Sequence, residues 1–270
     1  MNITAPLLFA VALLTAVPAH AQVATPDTAA APGLRDVCAD RPGKATPPCI
    51  LDAGHSQIEI GLADAVFRRG HGAHETLTTL GASEIRFGLT PNLEAEVSWA
   101  PLIVDHIRGA SDRTGSGDLT VGLRRALTAP GADGAAVSIQ GFVTAPTATH
   151  GLGGGWTGGA RLPVSAPLSK TLSLGLTPEV DVVRNASGGG AHLAASNAVS
   201  LGRTFGKASF GVEAWGAVDD DPSGRTYQAS ADLTAALLVG DSVQLDAGAN
   251  VGLNRNTPDL ELYLGFSRRF

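Results

Sequence analysis

From His55 to Phe270 apolar side chains recur at every second position, as in Leu93, Ala95, Val97 and Trp99 or Leu172, Leu174 and Leu176. No 3.6-residue period competes with this alternation, so the pattern predicts strands rather than helices. Twelve such segments can be counted, each close to the 9–11 residues that a tilted membrane strand needs. The opposite phase carries Glu59, Glu84, Arg86, Glu94, Glu96, Asp118, Arg124, Arg161, Glu179, Asp181, Glu213, Asp232, Asp246, Glu261 and Arg269. A slip of one residue would turn each of these onto the other face. An arginine or lysine facing lipid at mid-membrane costs about 2–4 kcal/mol. The segregation therefore predicts an all-β fold, a transmembrane antiparallel up-and-down β-barrel of about twelve strands, with the fifteen charged residues lining its lumen. A soluble β-sandwich shares the alternation but exposes a more heavily charged face than this one.

Connection lengths alternate as well. Short links fall at 90–92, 129–134, 167–170, 206–207 and 240–241. Longer polar ones fall at 68–75, 105–116, 145–155, 185–191, 219–225 and 254–258. Short periplasmic turns and longer extracellular loops are the habit of outer-membrane barrels. Four charges break the phase. Arg125, Arg203 and Arg268 lie near short turns, where an arginine can snorkel to headgroups. Asp64 shares the apolar phase of Ile58, Ile60 and Leu62, and is tolerable only if that strand ends early.

Charged residues make up only 16 % of the chain against 44 % hydrophobic, with a net charge of −6 and a pI near 5.6. An acidic, charge-poor chain argues against a nucleic-acid partner. Residues 1–21 have an apolar run from Pro6 to Val17 and end in Ala19-His20-Ala21, the pattern of a cleaved signal peptide, although no Lys or Arg precedes the run. Export makes Cys38 and Cys49, the two cysteines, a natural disulfide across a Pro/Gly-rich loop. The expected organisation is a signal peptide over 1–21, a periplasmic N-terminal segment over 22–54 and an outer-membrane barrel over 55–270.

Leu80–Trp99, Ser116–Leu127 and Gly240–Phe270 resemble the Gram-negative outer-membrane barrel family labelled "transporter" or meta-pathway of phenol degradation. The shared features are a GLT-x-x-L-E hairpin, a G-D-L-x-x-G-L strand and a D-L-x-L final strand. The resemblance covers about residues 55–270 and implies a pore or passive carrier for small, aromatic or other hydrophobic, solutes. The last strand, with Gly265, Phe266 and the terminal Phe270, also resembles the signal read by the barrel-assembly machinery. The partners so implied are that machinery, outer-membrane lipids and lipopolysaccharide, and a small permeant; the location is the outer membrane of a Gram-negative bacterium.

Candidate chemistry is sparse. Gly153–Gly158 matches G-x-G-x-x-G, but Pro163 and Pro167 follow where a phosphate-binding helix would begin. His71, His74 and Glu75 form a loop cluster that reads better as solvated than as a metal site, as does Asp219-Asp220-Asp221. His192 and Ser196, or His74, are the candidates for a lipid-modifying enzyme. In a strand, i and i+4 lie about 13 Å apart, too far for a hydrogen bond. The reading is thus a barrel without catalytic residues, metal or cofactor. A structural or surface-interaction barrel is the alternative. The eleven acidic and four basic lumen residues either hold the barrel together or select permeants, and an acidic wall disfavours anions.

Overall fold

The computed structural model describes residues 34–70, 73–129 and 134–270. The expected signal peptide over 1–21, the stretch 22–33, His71 and the centre of the 129–134 turn lie outside the described residues. Sixteen strands form: β1 (Ser56–Gly70), β2 (Ala73–Leu80), β3 (Ala82–Thr90), β4 (Leu93–Trp99), β5 (Leu102–Ile107), β6 (Arg113–Gly115), β7 (Leu119–Ala126), β8 (Ala136–Ala145), β9 (Thr157–Arg161), β10 (Val164–Pro167), β11 (Leu172–Arg184), β12 (Ala191–Phe205), β13 (Ala208–Asp219), β14 (Thr226–Val239), β15 (Val243–Gly252) and β16 (Leu260–Arg269). Four pairs are halves of one interrupted stave: β2 with β3 at Gly81, β4 with β5 at Ala100-Pro101, β6 with β7 at Ser116–Asp118, and β9 with β10 at Leu162-Pro163. Twelve antiparallel staves result, and β16 pairs with β1 to close them. Closure pairs the spanning staves all round the cylinder, the condition for a sheet to sit in lipid, while the three-residue β6 at the long-loop rim pairs with β5 alone among the described strands.

The burial pattern is that of a soluble protein turned inside out. Ile85, Phe87, Val121, Leu123, Phe210, Val212, Leu233, Leu245 and Leu262 are exposed on the outer wall. Their neighbours Arg86, Arg124, Glu213, Asp232 and Asp246 are buried inside. Arg125, Arg203 and Arg268 are exposed near the end with the short turns, the latter two stacked 4.8 Å from the rings of Phe205 and Phe270.

Two expectations are corrected. Asp64 faces inward: β1 takes a bulge at Leu62, which shifts the register between Gly61 and Ala63 and reverses the phase. Asp64 thereby stands opposite Tyr263 on the inner face. The 68–75 stretch is no loop, because β1 and β2 stay paired up to Gly70 and Ala73. The described part of the 22–54 segment, for which the sequence leaves plugging of the bore open, lies inside the barrel. From Val37 to Asp52 no residue is exposed, and Ala39, Ile50 and Leu51 supply three of the five buried hydrophobic residues of the described chain. This segment fills the bore at the short-turn end.

A plugged bore and its vestibule

The inserted segment is a loop closed twice. Arg35 donates from Nε to Asp52 Oδ1 at 2.6 Å, and inside that clasp Cys38 is disulfide-bonded to Cys49. A bridge over a loop this short removes unfolded-state entropy worth about 3 kcal/mol. The tip, Gly43-Lys44, reaches furthest into the bore.

Wall residues hold this loop on several sides. Arg86, fully buried on β3, pairs with Glu59 at 3.1 Å, Glu94 at 2.7 Å and the plug's Asp40 at 3.2 Å, and donates to the Cys38 carbonyl. Arg124, fully buried on β7, pairs with Asp40 and with Glu96 at 2.9 Å, and donates to the Cys49 carbonyl. Gln140 of β8 donates to Glu96 and accepts from Arg124. Glu59 accepts the backbone N–H groups of Asp40 and Arg41, and Glu94 accepts that of Leu51. Across the bore, Glu213 accepts the Lys44 amide at 2.8 Å, while the Lys44 ammonium lies 3.3 Å from Asp232 and 3.9 Å from Glu261. Arg41 pairs with Asp246 at 3.0 Å. Its guanidinium occupies the space left by Gly61 and Gly265, which face each other across the β1–β16 seam. Arg269 donates to the Arg35 carbonyl at the mouth. Charge-assisted contacts this dense are strong, but their worth depends on every member being paired.

Above the tip the bore opens into a vestibule of about 690 Å³. Its floor is Asp40, Arg41, Gly43, Lys44 and Thr46, and its wall carries Glu84, Asp118, Glu179, Asp181 and Asp219. Glu84 accepts from Ser98, Arg161 pairs with Glu179 at 3.4 Å, and Asp181 lies against Gly159. Asp118 accepts the N–H groups of Ala148 and Gly154, which pins the glycine-rich loop to the rim. Strand β9, not a helix, follows that loop. Of the C-terminal residues, Gly265 faces inward, whereas Phe270 is exposed beside Arg268.

Most charged residues of the inner phase thus come together in three groups, around Arg86 and Arg124, around Lys44 and along the vestibule wall, while Asp246 meets Arg41 and Arg269 meets Arg35 at the mouth. His192 and Ser196 do not meet. His192 instead contacts Asn185, Asp219 and Asp221, joining two rim loops. His74 and Glu75 are successive strand residues pointing to opposite faces, and Glu75 lies 3.9 Å from Arg68. Sequence reasoning missed the plug's Asp40, Arg41 and Lys44, and the inward aromatics Phe142, Trp215 and Tyr263. Arg161 stacks 5.2 Å over Phe142 and Lys44 5.4 Å over Trp215.

A closed barrel of this construction is the architecture of outer-membrane β-barrel proteins. The translocator domain of the autotransporter NalP from Neisseria meningitidis superposes with a TM-score of 0.54 at 14 % identity, covering 86 % of this chain and 90 % of that one. The NanC porin gives 0.51 at 11 % identity, over 79 % of this chain and 98 % of that one. At such identities the likeness is one of fold. Residues 39–270 match the profile of the family described as "Putative MetA-pathway of phenol degradation", and the chain belongs to that family. A search of curated proteins finds no match.

Proposed function

We propose that the protein is a passive channel of the outer membrane, delivered there by an N-terminal signal peptide, that passes small neutral or cationic solutes. The observation that carries this reading is the vestibule of about 690 Å³, whose wall presents five carboxylates while its cations are confined to Arg41, Lys44 and Arg161. A wall with an excess of one sign in a narrow bore disfavours ions of that sign and concentrates the opposite one. The family's description points to phenolic compounds. A neutral phenol suits this wall, whereas the carboxylate products of ring cleavage are repelled by it. Refolded protein in planar bilayers under a salt gradient tests the proposal. The expected result is a conductance with a reversal potential on the cation side; anion preference would contradict it.

The plug favours one other reading. A bore held shut by its own N-terminal segment would leave a structural barrel whose loops do the work. Absence of any conductance or solute flux from folded protein would decide for that alternative.

A further inference from the structure

Two cavities lie on one face of the plug, one residue apart along its chain. Thr46 lines the vestibule, while Pro47 and Pro48 line a second chamber of about 250 Å³ at the short-turn end. The wall of that lower chamber is small: Ala126, Ala136 and Ser165. The plug's hydrogen bonds and ion pairs to the barrel reach neither β10 nor β12. On this side the inward residues of the lower wall are Ser165, Gly175, Ser200 and Gly202, none of which carries a charge or a long side chain. The septum that separates the chambers is packed, with Pro163 and Ser138, both fully buried, on its wall side. Arg161 donates from Nη1 to Thr46 Oγ1 at 2.9 Å, and Thr177 donates to the Thr46 carbonyl at 3.1 Å. On β11, Thr177 sits between Glu179, which pairs with Arg161, and Gly175, which pairs with Ser165.

We infer that solute passes beside the seated plug, along the β8–β12 wall, and that Arg161 with Thr46 and Thr177 forms the neck that selects it. The plug is a fixed lining of the route, anchored by Arg86 on β3 and by Arg124 on β7, the stave beside β8. Arg161 is held at the neck by one hydroxyl, one carboxylate and the ring of Phe142. Its charge, balanced by Glu179, keeps the neck from passing cations freely, and its donors suit a solute carrying a hydroxyl or carbonyl oxygen.

This route rests on the channel reading, and single-channel recording on full-length protein with the Cys38–Cys49 bridge intact separates the two. Ala136→Trp fills the lower chamber and is expected to abolish most of the conductance. Thr177→Ala thins the septum and raises it. Arg161→Gln keeps the conductance and moves the reversal potential further toward cations, a shift that a purely structural arginine would not produce. Loop 38–49 of the conducting parent is expected to resist protease, as a seated plug does. Cleavage of that loop under conducting conditions, or conductance unchanged in both Ala136→Trp and Thr177→Ala, overturns the route. A parent protein with no conductance overturns the channel reading itself.

Discussion

Asp40 is the residue on which the seating of the plug turns, because it pairs with both buried arginines at once. Removing one member of a buried ion pair costs about 3–5 kcal/mol, chiefly by stranding the other charge. Arg86 keeps Glu59 and Glu94 and Arg124 keeps Glu96, so Asp40→Asn should fall near about 3 kcal/mol. The barrel should still refold, while loop 38–49 becomes cleavable by protease; resistance equal to the parent's would refute the anchoring role. Acid acts on the same contacts. Burial works to raise Asp52, but the hydrogen bonds and charge of Arg35 outweigh it and hold the carboxyl below its usual value. Burial likewise opposes, and the charges of Arg124 and Arg86 overcome it, at Asp40. A depressed carboxyl contributes its full stabilisation above its unfolded pKa and loses it as pH falls through the folded one. These two contacts should hold through neutral and weakly acid solution and give way only in strong acid. Protease cleavage of loop 38–49 followed across pH reports this. The sequence did hold a clue to the plug. Eleven carboxylates against four arginines in a narrow bore call for cations from elsewhere, and the leading segment places Arg41 on Asp246 and Lys44 near Asp232. Alternation marks only strands, so a loop without strand structure that enters the bore leaves no such trace.

At the level of the strand, periodicity was a sound guide wherever a stave runs unbroken, as in β12 to β15. It misled where a residue is consumed without advancing the ladder. The Leu62 bulge places Asp64 inside, and no residue type there announces it. The interruptions at Gly81, Ala100-Pro101 and Leu162-Pro163 were more legible, since a proline lacks the ladder donor and a glycine relaxes the backbone. Gly81 does so at a φ of 71°, which side-chain-bearing residues avoid. The rim loops are tied by side chains. Asp221 accepts the Ala186 amide at 2.7 Å and the Ser223 amide and hydroxyl, and with the proximity of His192 its pKa falls to about 2. Asp221→Ala should free the 185–190 and 220–225 loops from each other. Faster amide exchange confined to these loops, with the strands unchanged, would be the expected record; no change in either loop would remove the tie.

For the molecule as a whole, the inner and outer faces have exchanged the roles they hold in a soluble protein. Polar and charged side chains pack against a polar plug, and the apolar ones face outward. The twelve-stave closure could be read from the alternation of faces and of connection lengths together. The filling of the bore could not, because it depends on how one end of the chain folds back into a cylinder made by the other. The outward-facing apolar belt is what every functional statement above requires. Spin labels placed singly along β15, from Val243 to Gly252, in protein reconstituted into lipid test it most directly. Oxygen accessibility should peak at Leu245, Ala247, Ala249 and Val251 and drop at Gln244, Asp246, Gly248 and Asn250, in step with the register. Peaks in the opposite phase, or no two-residue rhythm, would contradict the account.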